Sequence, residues 1–169
     1  AHKTREQVKK AMGGILFIDE AYSLARGGEK DFGKESIDVL VKAMEDQKDN
    51  LVLILAGYKR EMEWFLRSNP GLYSRFPIHI TFPDYSVEEL LQIGALMLKK
   101  KQYRLLPGAR TALSKILEEK KREGNYNEGN ARLVRNLIER AIRRQAVRLV
   151  NRQRLTRDEL MIIRAEDFS

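Results

Sequence analysis

Two adjacent carboxylates, Asp19 and Glu20, close an otherwise apolar run in the stretch GGILFIDEAYSL, Gly13 to Leu24. The segment ILFI has the unbroken apolar character of a parallel strand buried on both faces, and in open α/β sheets ligands bind beyond the carboxyl ends of such strands. Neighbouring residues of a strand point to opposite faces, which frees the two acids for different partners. One carboxylate can hold Mg2+ through water while the other orients and deprotonates an attacking water, the division of labour that nucleotide hydrolysis needs. The competing reading is that Asp19 caps the next helix and Glu20 is merely solvated. The pair alone leaves both open.

Other chemistries fall away. The chain has no cysteine, so neither a disulfide framework nor a thiolate metal site is available, and its two isolated histidines make a poor metal cluster. One stretch, GEKDFGKE from Gly28 to Glu35, spells the start of a phosphate-binding loop and then fails, because Glu35 stands where a Ser or Thr hydroxyl must meet Mg2+. Its charge would repel phosphate, no apolar strand precedes it, and it is expected to be a solvent-exposed loop.

The elements that must position the acid pair follow from periodicity. At 169 residues and 43% hydrophobic, the chain can bury one good core or two small ones. Residues 1–83 alternate short apolar runs, ILFI, LVLILAG and IHITF, with a helical stripe at Ile37, Leu40, Val41 and Met44, which predicts a partial α/β core of parallel strands and flanking helices. Residues 84–169 read as all helix. Ser86 and Glu89 form a capping-box signature, Pro107 opens a second helix through Leu113, Ile116 and Leu117 that ends near Gly124, and a third follows Asn130. The stripe of that third helix is Val134, Leu137, Ile138, Ala141, Ile142 and Leu149, with Arg132, Arg135, Arg140, Arg143 and Arg144 on the other side.

Charge follows the same division. Residues 1–83 hold 13 Lys and Arg against 12 Asp and Glu, whereas residues 84–169 hold 19 against 12. A basic half raises nucleic acid as a partner, but the arginine-rich helix carries no aromatic residues between its charges and no recognised reading helix, which argues against it. No apolar run approaches the ~18 residues of a membrane span, and the polar first residues carry no visible export signal. The expectation is a soluble, cytoplasmic protein with no membrane partner.

Taken together, GGILFIDEAYSL, LAGY, SNPGLYSRF, FPDYS and EGNARLVRN resemble, in order and spacing, the AAA+ ATPases of the branch that contains the stage V sporulation protein K type and the red-type Rubisco activases. The resemblance covers almost the whole chain. It implies a Walker B Asp19 for the metal, Glu20 for the attacking water, an arginine finger in Arg75 that reaches a neighbouring subunit's nucleotide, and a sensor 2 arginine in Arg132 at the start of a lid helix. Arg67 is a weaker candidate for a second interfacial arginine. The aligned sensor 1 position is Tyr58, where most of the superfamily carries a polar residue such as Asn. The roles suit the residues: a finger supplies a permanent planar charge to the phosphoryl transition state and belongs on an exposed loop at a subunit edge, and Asn69-Pro70-Gly71 is a turn signal ahead of Arg75. IHITF is then expected to re-enter the sheet.

The resemblance also implies ATP and Mg2+ for full-length relatives, and here the chain departs from the pattern. In the family the Gly-rich phosphate loop, the strand before it and the substrate-engaging pore loop precede Walker B, and this sequence has none of them. It therefore looks like the C-terminal part of an AAA+ remodeller cut just ahead of Walker B, one that is not a competent ATPase alone and binds no nucleotide tightly. The family's phosphate-loop strand lies between those corresponding to IHITF and LVLILAG, so its loss leaves two unpaired edges, which favours self-association as a dimer or larger species. Besides the remodeller, acting on a protein substrate in its full-length form, two alternatives stand: a non-enzymatic self-associating fragment, and a basic nucleic-acid module.

Overall fold

A computed structural model of the chain describes residues 2–25, 32–68, 70–123, 130–150 and 152–169. The described residues fall into two compact units, 1–81 and 82–169.

The first unit is built on a parallel pair of strands. Helix α1 (His2–Lys10) leads into β1 (Gly14–Ile18), which is followed by a 3-10 turn (Ala21–Ala25), α2 (Phe32–Asp46), β2 (Leu51–Leu55), α3 (Lys59–Ser68) and α4 (Pro70–Arg75). Parallel strands need a crossover, and α2 supplies it. The register pairs Ile15 with Val52, Leu16 with Leu53, Phe17 with Ile54 and Ile18 with Leu55. Gly13 starts β1 from a left-handed backbone (φ 77°) that glycine adopts without cost, and its N–H donates to the Asn50 carbonyl at 2.7 Å. Helix α1 has no strong signal in its polar sequence; it is held by Val8, which is buried with Leu40, Ala43 and Leu51.

The alternation of the strands divides their residues into a covered and an uncovered face. Leu16, Ile18, Leu53 and Leu55 pack towards the helices, where Ala21, Tyr22, Ile37, Phe65, Leu66 and Leu72 form a second buried cluster. Ile15, Phe17, Val52 and Ile54 stand on the other face and are exposed. Burial on both faces, expected from the unbroken apolar runs, is therefore found on one face only, because the described helices lie on one side of a two-stranded sheet. IHITF corrects a further expectation. Residues 76–86 contain no strand, and Ile78, Ile80 and Phe82 are 76% to 88% exposed. The strand expected to pair with it has no counterpart in this sequence, and a lone strand leaves its N–H and C=O groups without ladder partners.

The second unit packs α5 (Val87–Lys100), α6 (Pro107–Arg122) and α7 (Asn130–Leu149) around Leu90, Leu98, Leu113, Leu117, Val134 and Ile138. Its helix signals are realised: Ser86 and Glu89 complete a capping box on α5, and Pro107 opens α6. It is not all helix. Two-residue strands β3 (Arg104–Leu105) and β4 (Ile162–Ile163) pair in parallel, with a single-turn α8 (Arg157–Leu160) before β4 and a 3-10 turn (Ala165–Phe168) after it. Strands this short carry no periodicity for the sequence to display. The C-terminal segment is clasped to α7 by two polar residues. Gln145, buried in the apolar stripe, donates from Nε2 to the Leu160 carbonyl at 2.7 Å, and Arg148 donates from Nε and Nη2 to the two carboxylate oxygens of Asp167, both at 2.9 Å.

Candidate functional site

The carboxyl ends of β1 and β2 stay bonded beyond the last strand residues. The Ala56 N–H donates to the Ile18 carbonyl at 2.9 Å, and the Ala56 carbonyl accepts from the Ala21 N–H at 3.0 Å. Ile18 and Ala21 are thus both tied to one residue of the neighbouring chain segment, and Asp19 and Glu20 are looped out between them. They are turn residues. The strand alternation expected to separate the two carboxylates does not operate at these turn residues.

The turn has a definite geometry. Glu20 has φ 49°, in the left-handed region, where a non-glycine residue is uncommon. Its N–H donates to Asp19 Oδ1 at 2.9 Å, and its carbonyl accepts from the Ser23 N–H at 2.8 Å, which starts the 3-10 turn. Both side chains are exposed. A backbone held in a sparsely populated region at the mouth of a sheet is the type of local strain that collects at functional sites.

Tyr58 leaves the sheet beside this turn, two residues beyond Ala56 and just ahead of α3. Its ring is half-exposed, with its centroid 6.4 Å from that of the buried Tyr22. Gly57 permits the approach: a Cβ there would lie 2.8 Å from Tyr22 Cδ1 and Cε1. Asp19, Glu20 and Tyr58 are thus gathered at the carboxyl end of the parallel pair.

Arg75 lies elsewhere. The segment expected to be an exposed loop is the short helix α4, with Arg75 as its last residue; Asn69 of the turn signal lies outside the described residues. The coil gives way to helix because Leu72 is fully buried among α2 and α3 residues, which anchors the turn. Arg75 Nη1 donates to the Gly71 carbonyl at 3.0 Å, and Nη2 is ion-paired with Glu45 of α2. Nε is buried with no hydrogen-bond partner. With Met44, Glu45, Lys48, Leu51 and Leu53, Arg75 lines a shallow groove beside the amino-terminal half of β2. Arg67, on α3, is exposed.

Glu45 is a partner of Arg75 that the sequence does not reveal, since an acid in the last turn of an amphipathic helix reads as a solvated charge. Arg132 lies in the first turn of α7, exposed, in the second unit. The near-match loop lies partly outside the described residues; Phe32, Gly33, Lys34 and Glu35 open α2, so this part is helix and not loop.

The donor set suits one type of cation. Among the described residues no group of three or more His, Cys, Asp or Glu side chains converges as a metal cage. A single exposed carboxylate with one oxygen already engaged, as in Asp19, fits Mg2+, which keeps most of its waters and takes its other ligands from phosphate.

Comparison with known proteins covers both units. Residues 1–84 match the ATPase family associated with various cellular activities (AAA), and residues 86–169 match the AAA lid domain. Stage V sporulation protein K of Bacillus subtilis is 53% identical over 170 residues, taking in 100% of this chain and 53% of that protein. A chloroplastic ribulose bisphosphate carboxylase/oxygenase activase from Cyanidioschyzon merolae is 46% identical over 171 residues, 99% of this chain and 58% of its own length. Protein CbbX of Cereibacter sphaeroides is 49% identical over 150 residues, 88% of this chain and 48% of its own. The chain spans about half the length of these relatives.

Proposed function

The chain belongs to the AAA family of ATPases, in the branch of stage V sporulation protein K and the Rubisco activases, and on that premise we propose that it supplies the water-activating, metal-holding and neighbour-sensing parts of an ATP-hydrolysing remodeller. In this reading Glu20 orients and deprotonates the attacking water, and Asp19 holds Mg2+ through its free carboxylate oxygen. Mg2+ held there would supply positive charge to the phosphate oxygens. Arg75 completes the charge of a neighbouring subunit's site, Arg132 stands at the sensor 2 position, and Tyr58 occupies the sensor 1 position. The remodelled target is a protein, and the compartment is the cytoplasm.

The observation that carries this reading is the two-residue excursion clamped by Ala56. A capping or solvated acid needs no left-handed backbone, whereas a water-activating acid gains from being fixed in one direction. The test is Glu20→Gln in a polypeptide that joins this chain to a phosphate-binding loop. Mg·ATP turnover should fall by about 10^2 to 10^4 while nucleotide binding persists, the signature of a lost general base. Turnover within threefold of the parent would refute the role. This chain without such a loop should show no turnover and no tight ATP binding, because its sequence spells no complete phosphate-binding loop.

A second reading rests on a separate observation. Ile15, Phe17, Val52 and Ile54 present an apolar face, and Ile78, Ile80 and Phe82 are exposed nearby in the sequence. Surfaces of this kind favour self-association, as a dimer or larger species, independent of nucleotide. Light scattering over a dilution series tests it: a monomer at every concentration, with native-like thermal unfolding, would exclude it.

A further inference from the structure

We propose that Glu45 is a positioning residue that parks Arg75 against its own subunit until a neighbouring nucleotide draws it away. The inference rests on the reading of Arg75 as the finger. It concerns a residue to which that reading assigns nothing.

Three observations support a parked state. Arg75 is bent back along α4, with Nη1 on the carbonyl of Gly71, one turn earlier. Nη2 is paired with Glu45 on the last turn of α2, a residue of the same unit. The pose is also incompletely satisfied, since Nε is buried with no acceptor. A guanidinium offers five donors in a fork that matches phosphate oxygens in pairs. The parked pose uses that fork poorly: one carboxylate contact, one carbonyl, and one buried N–H left over. A phosphate presented by a neighbour can do better, and the side chains of the pair are 30% and 53% exposed, so the ion pair is weak enough to yield. Lys48, in the turn after α2, lines the same groove as Glu45. Parking keeps a permanent cation from seeking other anions in the unassembled subunit and makes its release part of assembly.

The first experiment uses this chain alone. Phenylglyoxal modification of Arg75, followed by mass spectrometry, should run about two- to fivefold faster in Glu45→Gln than in the parent, the range a half-exposed ion pair supports. Arg67, exposed on α3, serves as the internal control and should not change. Equal rates at Arg75 in both chains would overturn the proposal, as would acceleration at Arg67 and Arg75 together, which reports general loosening.

The second experiment uses the polypeptide that joins this chain to a phosphate-binding loop. Glu45→Gln should lower the protein concentration for half-maximal Mg·ATP turnover by about two- to fivefold, with turnover at saturation unchanged and Glu45→Asp behaving as the parent. Arg75→Ala should abolish turnover whatever stands at 45. If Arg75→Ala left turnover intact, the finger reading would fall while the labelling result still judged the pair. If Arg75→Ala abolished turnover and Glu45→Gln lowered the saturating rate, the finger would stand and parking would be wrong.

Discussion

Removing the Asp167 carboxylate tests how the second unit holds its C-terminal segment. Asp167 is 1% exposed and accepts three hydrogen bonds, from Arg148 Nε and Nη2 at 2.9 Å and from the Arg164 N–H at 2.8 Å. The carboxylate holds the Arg148 guanidinium above its ordinary value, chiefly through the hydrogen bonds between these two side chains, with burial opposing. Breaking a buried pair by removing one partner costs about 3–5 kcal/mol. Two features place Asp167→Ala at the low end: Arg148 keeps 15% exposure, and Glu166 stands 3.3 Å from its Nε as a second acid. The expected loss is about 3 kcal/mol, and at about 4–8 °C per kcal/mol for a unit of this size the thermal midpoint should fall by about 12–24 °C. Asp167→Asn, which keeps the shape but only one acceptor oxygen and turns the other into a donor facing Arg148, should also destabilise the unit. Because the chain has two units, the readout must be specific to one. Amide exchange at Leu113, Val134 and Ile138, buried in the second core, reports it. A loss below about 0.5 kcal/mol for Asp167→Ala, the scale of an ordinary surface substitution, would refute the clasp.

Three further outcomes are expected. Gly57→Ala should destabilise the first unit by about 1–3 kcal/mol in thermal unfolding, because the new Cβ would lie 2.8 Å from the ring of Tyr22, which is buried, and 2.9 Å from Met62 Sδ. Glu20→Asn should stabilise the chain by up to about 1 kcal/mol, because Asn tolerates the left-handed backbone better; Glu20→Gln should not, and equal midpoints for the two would remove strain from the account of the turn. Finally, Glu89 and Glu159 are held below the usual carboxylate range, first by the backbone N–H groups of Ser86 and Thr156 and then by their hydroxyls. A depressed folded value means that the caps stabilise fully above the unfolded carboxylate range and lose that contribution as pH falls through the folded values. A pH series of thermal midpoints should therefore flatten on its acid limb in the double variant Glu89→Gln with Glu159→Gln.

What was legible in the sequence was local. The capping box at Ser86 and Glu89, the proline start at Pro107 and the stripe through Val134, Ile138 and Ala141 are each set by residues within a few positions of one another, and all three appear as expected. IHITF has the same local quality as ILFI and LVLIL, yet only the latter two pair, because a strand is made by its neighbour and the neighbour is not written in the strand. Gln145 shows the converse. A polar residue in an apolar stripe looks like an interruption, but its amide completes the carbonyl of Leu160, fifteen positions on, and so belongs to the core.

The site divides in the same way. Asp19 and Glu20 are adjacent, so the sequence displays them as a pair, and the structure adds the direction in which the chain presents them. Arg75 could be located by motif order, but its ion pair joins two helices thirty residues apart in sequence, and no spacing rule leads from one to the other. That difference decides where regulation can be built. The acid pair is fixed by the backbone hydrogen bonds of Ala56 and has little freedom to be switched. Arg75 is held by side chains at a partly wetted surface, with one N–H unsatisfied, so a modest competing interaction can move it. On the proposed reading of Glu20 and Arg75, such a hydrolase would keep its water-activating group constant and vary the charge that reaches it, so that control would lie with Arg75 and not with the turn that carries the acids.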